Sequence, residues 1–340
     1  MKNRMKCIVA ILMLVMLIAG APAVFAGGAS DAKPSGEQKI VLKIPETQPT
    51  THMMVRYFQK MVDALAAQTS GRITGEIFPG SMMGTLAVTI QQMQVGALDL
   101  ARIDNQVLFD AGVDSMKVIS LPFIFRDVEH ARKVLYGDIG KRFLDDIGKS
   151  NVGLEGIGYF IEGERNFFLK NKRVTQIEDI KGLKIRIPGG KLFLEMMACY
   201  NISGTTMAMG EIYSALQTGI IDGAENSFDA FNTNSFHEVC KYIAVSGHTL
   251  VMTPVVVSQV RWKTFSEGDK KIITDAFAAM IKEYDKENIA HQNNVKELIR
   301  GKGVEINDLT DRQKWVEASQ PMYKQYGGGY EDIIKLIENS

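Results

Sequence analysis

The sequence has 340 residues, 46% of them hydrophobic and 23% charged, with 39 basic side chains against 39 acidic ones. That composition is ordinary for a globular protein and excludes a disordered chain, a collagen-like chain and a basic nucleic-acid binder. The formal zero hides unlike parts: Lys2, Arg4 and Lys6 stand without an acid in the first 26 residues, leaving 36 bases against 39 acids in the rest.

Met1–Lys6 forms a basic leader start, and Ile8–Ala19 is a short apolar run. It is too short to cross a hydrocarbon core of about 30 Å. Val24-Phe25-Ala26 places small residues at −3 and −1 of a cleavage site. These features predict a secretory leader over 1–26 cleaved after Ala26, with an uncleaved anchor as the alternative. Cys7 precedes the apolar run, so it is not a lipid-attachment cysteine. Residues 27–38 are small and polar and predict a flexible tail. The mature chain is expected to be periplasmic and soluble. Single cores stop growing at roughly 250–300 residues, so its length predicts two domains. Cys199 and Cys240 alone remain in it, which is no disulfide framework; one bridge or two free thiols are both open.

Ile40–Ile44 alternates as an opening strand and is broken by the Pro45–Thr51 segment. His52–Thr69 then places Met54, Phe58, Met61, Val62 and Leu65 on one helical face. Arg72–Phe78 reads as a strand, Leu86–Val95 as a helix and Leu98–Ile103 as a strand. Leu121–Phe125 is a buried apolar run, and Asp127–Lys149 reads as one or two helices. Val152–Ile161 predicts a core strand, and Leu183–Ile187 alternates strictly up to Pro188-Gly189-Gly190. Glu211–Thr218 is a short helix leading through Gly219–Gly223 into another strand. Ser266, with Asp269 three residues on, predicts a helix start. Ile272, Ile273, Phe277, Met280, Ile281, Tyr284, Val295, Leu298 and Ile299 then recur at helical spacing up to Arg300. The repeated strand–helix alternation predicts an α/β fold, a sheet covered by helices.

Catalytic and cofactor motifs are missing. The five histidines show no zinc-ligand spacing, and Cys199 and Cys240 stand 41 apart. There is no G-x-S-x-G elbow and no dinucleotide fingerprint. Gly148-Lys149-Ser150 fails as a phosphate loop because Phe143 holds the earlier glycine position. No cofactor, metal or catalytic residue is expected, and no nucleic acid.

Three polar segments fall where an α/β sheet would place a ligand, beyond strand carboxyl ends. They are Gly163-Glu164-Arg165-Asn166-Phe167, Gly182–Pro188 with Arg186, and Asp222-Gly223-Ala224-Glu225-Asn226-Ser227. An arginine there presents a planar fork that fits a carboxylate. Taken singly, each arginine reads more readily as solvated or paired with a surface acid.

Together the segments resemble the solute-binding proteins of tripartite ATP-independent periplasmic (TRAP) transporters, over nearly the whole mature chain. The most specific part is Gly182-Leu183-Lys184-Ile185-Arg186-Ile187-Pro188, then Met207–Gly219 (MAMGEIYSALQTG), then Ile221–Asn226 (IDGAEN). Weaker matches are His52 opening a helix, Ser70-Gly71-Arg72-Ile73, Phe78-Pro79, Leu121-Pro122-Phe123, and Gly163 with Arg165. The resemblance implies a two-domain flytrap fold with hinge-crossing strands and a long C-terminal helix. The expected divisions are 39–162 with about 252–291 for domain I, and 163–251 with about 292–340 for domain II. It implies that Arg186 pairs with a ligand carboxylate, that Arg165 is a second ligand-facing arginine, and that Asn226 bonds the same group.

Three positions depart from the family pattern. Met209 stands where an aromatic wall is common, Ser227 where a proline is, and Asn105 where some members carry an acid for the far end of the ligand. Glu46 and Thr47 are candidates for that far end, with helix capping by Thr50 or Thr51 as the alternative role of their loop. Met53, Met54, Met82, Met83, Met207, Met209 and Met252 fill core gaps or form an adaptable ligand wall. The implied function is capture of a small organic acid and its delivery, by a monomer, to a TRAP permease. The alternatives are an ABC-type binding protein, a receptor-linked sensor, and an exported enzyme using Glu164 or Glu225 as a base.

Overall fold

The computed structural model describes residues 38–340; the leader over 1–26 and all but the last residue of the tail over 27–38 lie outside the described residues. β1 (Ile40–Pro45) buries Ile40, Leu42 and Ile44 on one face. α1 (Met53–Gln68) follows, capped by His52 rather than by Thr50 or Thr51: its Nδ1 accepts from the Met54 N–H at 3.3 Å. β2 (Ile73–Phe78) pairs parallel with β1, and α2 (Leu86–Gln94) starts on a Thr85 cap.

β3 (Leu100–Arg102) leads into α3 (Asn105–Ala111) and α4 (Met116–Ile119). The apolar run Leu121–Phe125 is buried apart from a half-buried Phe123 and forms a tight turn, with Phe123 at φ 62°. The expected helical stretch divides at Tyr136-Gly137 into α5 (Val128–Leu135) and α6 (Asp138–Lys149).

β4 (Leu154–Leu169) does not stop near Ile161, as its apolar run suggested. It continues through Glu162, Gly163, Glu164 and Arg165, because Glu162 and Arg165 find polar partners inside the protein. α7 (Ile177–Ile180), β5 (Lys184–Ile187), α8 (Lys191–Cys199) and β6 (Ser203–Thr206) come next. α9 (Ile212–Thr218), β7 (Gly223–Asn226) and α10 (Phe228–Thr233) complete the middle.

β8 (Tyr242–Ser258) is a 17-residue strand that the sequence pattern did not disclose. Gly247 and Pro254 interrupt its apolar run, and both are accommodated in the sheet. It pairs antiparallel with β4 from Leu154↔Ser258 to Leu169↔Tyr242, with bulges at three places. After α11 (Gln259–Trp262), the 35-residue α12 (Glu267–Gly301) starts where Ser266 and Asp269 foretold. The Ser266 hydroxyl accepts from the Asp269 N–H at 3.1 Å. β9 (Glu305–Asp308), α13 (Arg312–Ala318), α14 (Gln320–Tyr326) and α15 (Glu331–Glu338) close the chain.

The mixed sheet runs β3-β8-β4-β7-β5-β6, with β9 on β8. Its crossing pair β4 and β8 feeds more than one core. Phe160 packs with Phe58 of α1 and with Phe277 and Tyr284 of α12. Phe168 packs with Phe231 and Phe236, in a core that also holds Val295 and Ile299 of α12. One helix thus spans two cores with its two halves. Among the described residues Cys199 and Cys240 are free thiols; burial pushes the Cys240 thiol up to about 12. Among the described residues no helix is long and apolar enough to cross a membrane.

Candidate functional site

Strand order brings the polar segments together. β7 lies between β4 and β5, with Asn166 opposite Asn226, Phe167 opposite Glu225 and Arg186 opposite Ala224. Arg165, Arg186 and Asn226 therefore converge on one wall of a cavity. Met209 and Pro188 complete that wall. The facing wall comes from the β1–α1 loop, the segment before α2, and the end of β3. It presents Thr47, Gln48, Ser81, Thr85, Arg102 and Asp104.

Arg186 is 3% exposed. Its Nε and Nη2 both donate to the Met207 carbonyl, at 2.9 and 2.7 Å. Among the described residues its buried Nη1 has no hydrogen-bond partner. Burial without a contacting carboxylate pulls its pKa down to about 10, with Glu225 nearby opposing the fall. The side chain is thus still charged at neutral pH, with an unused donor in the cavity wall. Leaving such a donor unpaired costs about 1–3 kcal/mol or more, which an incoming carboxylate would recover.

Arg165 is different. Its Nε and Nη2 donate to Oε2 and Oε1 of Glu225 at 2.5 and 2.7 Å, and its guanidinium sits 5.1 Å over the Phe193 ring. Burial alone would raise the Glu225 pKa, but Arg165 holds it below the usual carboxylate range. His248 lies 3.5 Å behind the same carboxylate and stacks on Phe167 at 4.5 Å. Its burial outweighs Glu225 and lowers its pKa, which keeps the ring neutral. A carboxylate so tightly held is a poor general base. Glu164 lies against Gly247 and in a separate groove beside α12, away from this cavity.

The remaining expected residues divide. Thr47 and Met209 line the cavity. Glu46 stands behind Arg102, accepting from its Nε and Nη2 at 2.7 and 2.5 Å and from the Gln48 N–H at 3.0 Å. Burial would raise its pKa, but Arg102 brings it below the ordinary value. Ser227 caps α10, its hydroxyl accepting from the Ala230 N–H at 3.1 Å, and does not line the cavity. Asn105 is buried at the start of α3, also off the cavity, with its side-chain oxygen unpartnered. Its neighbour Asp104 takes the cavity position. Met53, Met54 and Met252 are core residues. Arg102, Asp104, Gln48, Ser81 and Thr85 were not foreseen; the carboxyl end of β3 was the signal that could have found Arg102 and Asp104.

A second polar cluster lies nearby: His52, Glu162 and Asp229, all buried. Asp229 accepts from the Met53 N–H at 3.1 Å and lies 3.1 Å from His291 Nε2. The backbone N–H groups of α1's first turn point into this cluster. That end of a helix favours an anion, which suits the Asp229 carboxylate.

The sequence model of "Bacterial extracellular solute-binding protein, family 7" matches residues 44–328 of this chain. A solute-binding protein of Chromohalobacter salexigens is 28% identical over 292 residues, 85% of each chain. A TRAP periplasmic solute-binding protein of Pseudomonas putida F1, solved with bound D-glucuronate, is 31% identical with a TM-score of 0.84, over 88% of this chain and 97% of that one. A third, from Xanthobacter autotrophicus Py2 with bound β-D-galacturonate, is 30% identical with a TM-score of 0.83, over 88% and 99%. The fold is that of a two-domain TRAP periplasmic binding protein.

Proposed function

The chain belongs to the family-7 bacterial extracellular solute-binding proteins, those of TRAP transporters, and from that premise we propose that it captures a sugar acid and delivers it to a TRAP permease. The observation that carries this reading is the buried Arg186 with its unpartnered Nη1 in the cavity wall. A ligand carboxylate is the group that satisfies it. Thr47, Gln48, Ser81 and Thr85 on the facing wall are neutral hydrogen-bonding groups suited to hydroxyls. The uronates held by the Pseudomonas and Xanthobacter proteins have this combination of one carboxylate and several hydroxyls.

In this reading the protein works as a monomer in the periplasm, after cleavage behind Ala26. Residues 39–162 with about 252–291 form one domain, and 163–251 with about 292–340 the other. Three hydrogen bonds that join them support closure over the cavity. The Met53 N–H donates to Asp229 at 3.1 Å, Asn234 Nδ2 to Gln48 Oε1 at 2.9 Å, and the Lys191 N–H to Asp110 at 2.9 Å. Closure excludes water and strengthens the ion pair, provided every buried polar group finds a partner.

The test is a thermal-shift screen of organic acids followed by calorimetry on the mature protein. A ligand at 100 times its Kd stabilises by about 2.7 kcal/mol. A uronate or aldonate is the expected hit. A hit confined to acids without hydroxyls, or no hit among carboxylates, overturns the reading.

A further inference from the structure

The charges around the cavity bear on how many carboxylates a ligand can carry. Three arginines reach it: Arg102, Arg165 and Arg186. Two of them are already matched, Arg102 by both oxygens of Glu46 and Arg165 by both oxygens of Glu225. These pairs are buried, so little solvent screens them. Each offers the cavity its remaining N–H donors but no net charge. The third arginine, Arg186, is held by a carbonyl instead of a carboxylate. Of the three it is the one with no carboxylate in hydrogen-bonding contact, with Glu225 and Asp104 acting on its charge only from a distance.

The facing wall carries the opposite bias. Asp104 lines it, half-buried, beside Thr47 and Gln48, with Glu46 directly behind Arg102. A hydroxyl arriving there can donate to Asp104 and accept from Arg102. A second carboxylate arriving there meets one anion and a cation whose charge is already balanced. Like charges brought together in a desolvated site cost several kcal/mol.

We propose that this site accepts acids with a single carboxylate, seated on Arg186, and excludes the matching diacids because Glu46 and Asp104 leave no free positive charge at the far end. The inference rests on the sugar-acid reading and narrows it: aldonates and uronates are ligands, and aldarates of the same carbon skeleton are not. Glu46 and Asp104 are then specificity-determining residues, one by cancelling Arg102 and one by direct repulsion.

The test titrates the mature protein calorimetrically with a six-carbon aldonate and the corresponding aldarate at neutral pH. Both are open-chain, and they differ in one terminal group. The aldarate is expected to bind on the order of 100-fold more weakly. Two variants separate charge from shape. Asp104→Asn removes a half-exposed charge, and Glu46→Gln frees Arg102. Each is expected to narrow the aldonate-to-aldarate ratio about tenfold or more, or to bring in aldarate binding where the wild type shows none. Equal wild-type affinities for the two acids overturn the proposal. A ratio unmoved in both variants does too, because the exclusion is then one of shape. If no sugar acid of any kind binds, the sugar-acid reading itself fails; aldarate binding beside aldonate or uronate binding leaves that reading intact and removes only the single-carboxylate rule.

Discussion

Arg165 and Glu225 meet across the adjacent antiparallel strands β4 and β7, on a diagonal two residues from direct register, in a two-pronged ion pair at 2.5 and 2.7 Å. Both are essentially buried. The pair sits in the same wall as Arg186, which has no such partner. In the proposed function this difference makes Arg165 a framework charge and Arg186 the ligand anchor.

Removing one member of the framework pair should hurt folding before it hurts chemistry. Glu225→Gln leaves the Arg165 charge buried and half-satisfied, and the expected loss is about 3–5 kcal/mol of unfolding free energy. Urea denaturation measures it. A loss below 1 kcal/mol would show that solvent reaches Arg165.

The ligand-seeking arginine should behave in the opposite way. Arg186→Ala is expected to leave the fold intact and to cost about 2–5 kcal/mol of ligand affinity by calorimetry. Arg186→Lys keeps the charge but loses the planar fork, so it should recover only part of that loss. Near-wild-type affinity in the alanine variant would remove Arg186 from the role of carboxylate anchor.

Acid should destabilise the protein through Glu46 and Glu225. Both carboxyls have folded-state pKa values below the ordinary 4.5. Between the lowered value and 4.5 the unfolded chain binds more protons, so stability rises with pH there. The contribution is complete above about 4.5 and is lost as pH falls through the folded values. Thermal unfolding followed from pH 7 down to pH 3 should show the decline beginning near 5. A melting temperature flat to pH 3 would contradict both assignments.

Glu162 should titrate with the opposite sign. Burial raises its pKa, and Asp229 adds to the rise against the opposing pull of His52. The stability it contributes is present below 4.5 and is lost as pH rises through its raised folded value. Glu162→Gln should therefore be neutral or stabilising at pH 7–8. Asp229→Asn should cost about 1–3 kcal/mol, since Asp229 accepts from the Met53 N–H and faces His52 and His291. Equal losses in the two variants would show that both carboxyls are ionised in the fold.

Elements with a local cause are legible in the amino-acid sequence. The α12 start was legible because Ser266 and Asp269 form a cap within four residues. The β1, α1 and β2 pattern was legible because one face of each is apolar. Arg186 stood out because Ile185 and Ile187 flank it in strict alternation just before Pro188, and because the segment resembles a known family. The remaining features depend on contacts between residues far apart in the chain. Arg102 looks like any arginine until β3 brings it to Glu46, 56 residues away. β4 looks finished at Ile161, because a strand that buries Glu162 and Arg165 makes sense only once their partners are in place. Asn105 and Ser227 look like ligand contacts in a linear reading, yet the chain turns one inward at the start of α3 and uses the other to cap α10. Which charges are cancelled and which are left for a ligand is a property of pairs distant in sequence. Such pairing follows from burial and strand order, and composition and spacing carry no record of either.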